Sequence, residues 1–121
     1  MSQILVVDDN VNLSVFVVAA LTRDGFHVTS VASAEEACDF LDQNAVDVLV
    51  SDVQLPAMSG IDLLKHVRIE HPDVVVLLLS LFADAQMARE ALALGAFDCL
   101  RKPTSVEMLR STVQRAVAYK H

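Results

Sequence analysis

A doubly wound α/β fold, a parallel sheet with helices on both faces, is predicted by three observations. Short β-branched runs recur along the 121 residues, at Ile4–Val7, Val46–Val50 and Val74–Leu79, with weaker ones at His27–Val31 and Phe97–Leu100. Each is followed by a segment of helical period. The stronger runs are nearly continuous in apolar residues rather than alternating, which suits strands covered on both faces. The order is βαβαβαβαβα, and parallel neighbours need crossover connections, which are right-handed almost without exception. Layering then puts helices on either side of one sheet.

The elements follow in order. Ile4–Val7 is the first strand. The first helix runs from about Val11 to Arg23 and stops at Gly25; it is apolar nearly all round, so deep burial is expected. After the strand His27–Val31, Ser33-x-x-Glu36 forms a capping box, with Ala37, Phe40 and Leu41 on one face behind it. The central strand Val46–Val50 leads to a helix marked by Ile61, Leu64 and Val67 and stopped by His71-Pro72. After Val74–Leu79, Met87, Ala88, Ala91 and Leu92 mark a fourth helix closed by Gly95. Phe97–Leu100 is the last strand. Thr104-x-x-Glu107 reads as a second capping box, before Leu109, Val113 and Val117.

Composition excludes several classes. Hydrophobic residues make up 54% and charged residues 21%, which excludes disorder and supports one domain, residues 1–121, with a real core. The net charge of −7 argues against direct contact with nucleic acid or an anionic membrane. No apolar run approaches the roughly 20 residues of a spanning helix, and the start lacks a signal peptide's basic and small-residue pattern. Cys38 and Cys99 are too few for a disulfide framework, so free thiols and a cytoplasmic location are expected.

Ligands bind such sheets outside the carboxyl ends of the strands. There the sequence sets Asp8-Asp9, Ser51-Asp52, Ser80 and Arg101-Lys102-Pro103. Singly, each reads as a turn, a cap or a surface charge. Jointly they bring three carboxylates, a hydroxyl and an ammonium to one edge. Three crowded carboxylates call for a cation. An oxygen-only set with few protein ligands suits Mg²⁺, and the absence of His and Cys there argues against zinc. A carboxylate can act as nucleophile and carry an aspartyl phosphate. Lys102 and Mg²⁺ would neutralise phosphoryl oxygens, with Ser80 donating a hydrogen bond.

The stretches Ile4-Leu-Val-Val-Asp-Asp-Asn10, Asp52-Val-Gln-Leu-Pro-Ala-Met-Ser-Gly60, Ser80 and Gly95-Ala-Phe-Asp-Cys-Leu-Arg-Lys-Pro103 resemble the receiver domain of two-component response regulators over essentially the full length. The resemblance implies a flavodoxin-like (βα)5 fold with strand order 2-1-3-4-5. It implies phosphorylation of Asp52 by a histidine kinase or phosphotransfer protein. It implies Mg²⁺ held by Asp8, Asp9, Asp52 and the backbone carbonyl of Gln54, contact of Lys102 with the phosphoryl group, and a switch role for Ser80. Homodimerisation or effector contact through the fourth helix, last strand and last helix would follow, with transcription as the output. The module would phosphorylate and dephosphorylate itself without being a conventional enzyme. The helical segments look most similar to receivers that precede a helix-turn-helix DNA-binding domain of the FixJ or NarL kind; the chain ends soon after the last helix, at Ala118-Tyr-Lys-His121, so an effector domain after residue 121 and a stand-alone receiver both remain open.

Three positions depart from the family. Cys99 stands where an aromatic switch residue is usual, Leu81 where a small residue is usual, and Leu55 where Met is frequent. Any switch would then run through Ser80 and the loop with Leu81 and Phe82, Phe82 being the nearest substitute ring. Met87 and Met108 read as core or near-core fillers, and Cys38 as a small buried residue. His27, His66, His71 and His121 show no ligand spacing along the chain, and Asp98 is either a surface charge or a neighbour of Lys102. Competing readings are a degenerate receiver acting as a scaffold, an aspartyl-phosphate hydrolase and an FMN carrier. The hydrolase would want an acid-base Asp at position 54, which is Gln. The FMN carrier would want a Ser/Thr/Gly-rich phosphate loop where Asp8-Asp9-Asn10 stands.

Overall fold

The computed structural model describes residues 2–120; His121 lies outside them. Five strands, β1 (Gln3–Val7), β2 (His27–Val31), β3 (Val48–Asp52), β4 (Val75–Ser80) and β5 (Asp98–Arg101), alternate with five helices. These are α1 (Val11–Arg23), α2 (Ala34–Gln43), α3 (Gly60–Glu70), α4 (Ala85–Ala93) and α5 (Val106–Lys120). All strand pairs are parallel and the order is β2-β1-β3-β4-β5. The expected flavodoxin-like order is therefore present.

Alternate residues along the strands feed two cores. Leu5, Val7, Leu49, Val76, Leu78 and Cys99 pack with α2, α3 and α4 through Ala37, Leu41, Leu63, Leu64, Val67 and Ala91. Ile4, Val6, Val48, Val50, Leu77 and Leu79 pack with α1 and α5 through Leu21, Leu109, Val113 and Ala116. Because both faces are covered, the central strands β3 and β4 are buried at every position.

Four expectations need correction. The central strand starts at Val48, not Val46, and reaches Asp52; the next reaches Ser80. Pairing with flanking strands, not hydrophobicity, sets these ends: Asp52 is still in register with Leu79, and Ser80 with Arg101. The first helix is not deeply buried. Only Ser14 and Leu21 are buried, while Val11, Val15 and Phe16 are at least 60% exposed. It shares its sheet face with α5, so only one stripe of a largely apolar helix finds a partner. The last helix is capped by Ser105, whose Oγ accepts from Met108 N at 3.0 Å, instead of Thr104. That start places Met108 on the outer side of α5, half exposed, so it is no core filler.

Other end signals hold. Ser33 Oγ accepts from Glu36 N, while the Glu36 carboxylate accepts from Ala32 N one residue upstream. Gly25 and Gly95 both have positive φ, as closures of α1 and α4. Met87 on α4 packs partly buried against the core, as does Cys38 on α2.

Candidate functional site

The carboxyl edge of the sheet gathers the polar residues. Asp8 follows β1 and is 6% exposed; Asp9, next to it, is exposed. The Asp8 side chain is fixed by accepting from Asn10 N at 2.8 Å, and Asn10 in turn caps α1 through Leu13 N. Asp52, the last residue of β3, is 4% exposed. One carboxylate oxygen from each of Asp8, Asp9 and Asp52 lies within 4.8 Å of the other two. Such an all-oxygen set, open to solvent on the Asp9 side, fits a hard divalent cation that keeps several waters.

Lys102 comes from the loop after β5, where the Lys102–Pro103 peptide bond is cis and Lys102 N donates to Ser80 O. Its ammonium donates to both Asp52 carboxylate oxygens at 3.0 Å and stands 3.8 Å from Asp8 Oδ2. One ammonium against three carboxylates leaves the cluster net negative. Burial pushes the Asp52 carboxyl up to about 7; Lys102 opposes this and Asp8 reinforces it. Full ionisation of Asp52 at neutral pH, which its reference value of about 3.9 suggests, thus needs a cation as well as Lys102.

Ser80 closes β4 with no exposed surface. Its Oγ accepts from Gln54 Nε2 at 2.9 Å and from Phe82 N at 3.1 Å, while Gln54 Oε1 accepts from Leu81 N at 3.1 Å. The Gln54 side chain therefore ties the loop after β3 to the loop after β4. Sequence reasoning gave Gln54 only a backbone role; nothing in its spacing announces this bridge, which depends on two loops meeting across 26 residues.

Gly60 also escaped that reasoning as more than a motif end. A Cβ there would collide with the Asp52 carbonyl and stand 2.8 Å from Val53 Cα, so only glycine lets α3 start against the end of β3.

A cavity of about 480 Å³ opens above the cluster, lined by Asp8, Asp9, Asp52, Gln54 and Lys102 below and by Leu13, Phe16, Leu81 and Val106 at its rim. Leu81 thus borders the pocket. Phe82 is not among its lining residues and is 67% exposed, so it does not shield the pocket. Cys99 is buried in the core on β5, and burial pushes its thiol up. Asp98 lies at the opposite end of β5 from Lys102 and accepts from Cys99 N, so it is no partner of Lys102.

An acidic pocket facing a lysine at the carboxyl edge of a 2-1-3-4-5 parallel sheet is the arrangement of a receiver domain. The family model for the response regulator receiver domain matches residues 4–114, and the chain belongs to that family. It is 34% identical over 114 residues to the DNA-binding transcriptional regulator NtrC of Klebsiella pneumoniae, covering 94% of this chain and 24% of NtrC. It is 32% identical over 118 residues to the transcriptional regulatory protein ZraR of Escherichia coli K12, covering 98% of this chain and 27% of ZraR. The chain thus spans about a quarter of the length of these relatives. Among solved structures, the beryllofluoride-activated NtrC4 receiver domain dimer superposes with a TM-score of 0.94 at 28% identity, with all of each chain covered. A Francisella response regulator receiver domain gives 0.95 at 28%, again over both whole chains. These relatives are of the NtrC and ZraR kind and do not confirm the FixJ or NarL placement.

Proposed function

We propose that this receiver is a phosphoacceptor module in which Asp52 takes a phosphoryl group from a phosphohistidine of a histidine kinase or phosphotransfer protein. The observation that carries this reading is the buried Asp52 carboxylate, held through both oxygens by Lys102 inside a three-carboxylate cluster. An Asp52 oxygen attacks phosphorus; the new O–P bond forms as the P–N bond breaks, and the imidazole leaves with the electron pair. Asp8, Asp9, Asp52 and the Gln54 backbone carbonyl would hold Mg²⁺ here. The ion, when bound, supplies positive charge against the carboxylates and the phosphoryl oxygens. Lys102 then donates to a phosphoryl oxygen, and Ser80 exchanges its bond to Gln54 for one to the phosphoryl group.

The response passes from Ser80 through the loop with Leu81 and Phe82 into α4. In our reading α4, β5 and α5 form the output face, for a homodimer or for an effector domain that controls transcription in the cytoplasm. The apolar rim of Leu13, Phe16, Leu81 and Val106 suits docking of a protein donor rather than a small phosphodonor alone. Self-dephosphorylation by water, not turnover of a separate substrate, would end the signal. The hydrolase reading is disfavoured because the residue it needs as acid-base, Gln54, is an amide already bonded to Ser80 and Leu81. A pure scaffold would not need the lysine–carboxylate geometry.

Labelling by a phosphorylated kinase or acetyl phosphate, with Mg²⁺, tests the assignment. Asp52→Asn should abolish acid-labile phosphate; undiminished labelling at neutral pH would refute it. Sedimentation of the wild type with beryllofluoride and Mg²⁺ should show a dimer, and a monomer in both states would eliminate the homodimer.

A further inference from the structure

The three acidic residues are one of two potential metal clusters among the described residues. The other is Asp42, His66 and His71, each offering a ligand atom within 4.8 Å of the other two. It lies where α2 and α3 end. Those helices run back antiparallel to the strands, so this is the amino edge of the sheet, the edge opposite Asp52.

The local backbone makes the cluster. His66 sits in the last turns of α3. His71 is its C-cap at φ −136° and ψ 62°, no longer helical, and its N–H donates to Val67 O at 2.8 Å. Leaving the helix lets a residue five positions on return to the side of His66, and the ring centroids stand 6.3 Å apart. Asp42, near the end of α2, reaches across so that its Oδ1 is 2.9 Å from His71 Nε2. His66 Nε2 is buried yet finds no hydrogen-bond partner among the described residues. A buried ring nitrogen without a partner carries a desolvation cost that a ligand would remove.

We propose that Asp42, His66 and His71 form a second cation site, for a divalent transition metal of the Zn²⁺ class. Two imidazoles and one carboxylate are donors for zinc and its neighbours, not for Mg²⁺. Tetrahedral bonds of about 2.0–2.1 Å put ligand atoms about 3.3 Å apart. The Asp42–His71 pair, at 2.9 Å, needs to open by only about 0.4 Å, and the His66 ring to approach by no more than about 1.5 Å. With three protein ligands, the fourth position belongs to water or a partner's side chain. The metal would clamp the ends of α2 and α3 without touching the phosphoryl site, so this proposal stands apart from the function proposed above.

The probe is Zn²⁺ alone, titrated against the chain with a chromophoric chelator as competitor. The titration is repeated in an Asp8→Asn/Asp9→Asn background, which removes the acidic pocket as a rival. One equivalent should remain in that background. His66→Gln and His71→Gln should each weaken it at least about tenfold, no less than loss of an outer-sphere partner does. In the unsubstituted chain, imidazole ¹⁵N resonances of His66 and His71 should move with Zn²⁺ while His27 stays in place. This reading needs no variant and holds whether or not His66→Gln folds. Mg²⁺-dependent beryllofluoride binding should be unchanged in both His variants. Zn²⁺ affinity unaltered by both substitutions, or unmoved His66 and His71 resonances at saturation, would overturn the site.

Discussion

Gln54→Ala is the sharpest perturbation of the proposed switch, because it deletes a side chain while leaving the carbonyl proposed as a metal ligand. In the resting structure the Gln54 amide makes two bonds to the loop after β4: Nε2 donates to Ser80 Oγ at 2.9 Å and Oε1 accepts from Leu81 N at 3.1 Å. In the switch proposed above, the loop moves to bring the Ser80 hydroxyl, free to donate while its Oγ accepts, to a phosphoryl oxygen, and that movement separates Ser80 Oγ from Gln54 Nε2. Each such bond contributes net about 0.5–1.5 kcal/mol. The pair therefore biases the loop toward the resting state by about 1–3 kcal/mol, or about 5- to 150-fold. Where the competent state is a small fraction, apparent affinity for an activating ligand scales with that fraction. Gln54→Ala should tighten apparent beryllofluoride binding, at saturating Mg²⁺, by a factor within that range. The assay is a beryllofluoride titration followed by amide shifts of residues 80–84, with Mg²⁺ affinity measured separately. Unchanged or weaker beryllofluoride binding at unchanged Mg²⁺ affinity would refute the latch.

Other outcomes follow from the same geometry. In the metal-free chain Asp52 titrates near 7 folded and near 4 unfolded, so between those values the folded state holds more protons and stability falls as pH rises. Denaturant midpoints from pH 4 to 7 should therefore move in favour of Asp52→Asn over the wild type, and a gap constant with pH would contradict the shift. Gly60→Ala should cost about 3 kcal/mol, the upper end of overpacking penalties, because its Cβ meets backbone rather than a flexible side chain; a urea midpoint equal to the wild type's would show that the α3 start can move freely. Leu81→Ala should speed labelling by acetyl phosphate, since Leu81 borders the pocket, whereas Phe82→Ala should not; equal acceleration by both would put Phe82 at the rim after all.

Fold class and most of the polar edge of the sheet are legible in the chain's local patterns alone. Five apolar runs with helical segments between them leave few layered arrangements, and residues at strand ends must share an edge once the strands are parallel. Asp8, Asp9, Asp52, Ser80 and Lys102 were legible for that reason. Where distant segments meet was not legible. The Gln54–Ser80 bridge, the seat of Gly60 under the Asp52 carbonyl and the meeting of Asp42 with His66 and His71 join residues whose spacing carries no period. The open face of α1 belongs with them: hydrophobicity states that Val11, Val15 and Phe16 are apolar, but only packing with α5 on one sheet face decides which stripe is covered. Local patterns report what each segment prefers to bury; the neighbours that arrive from elsewhere in the chain decide what is buried and which groups touch.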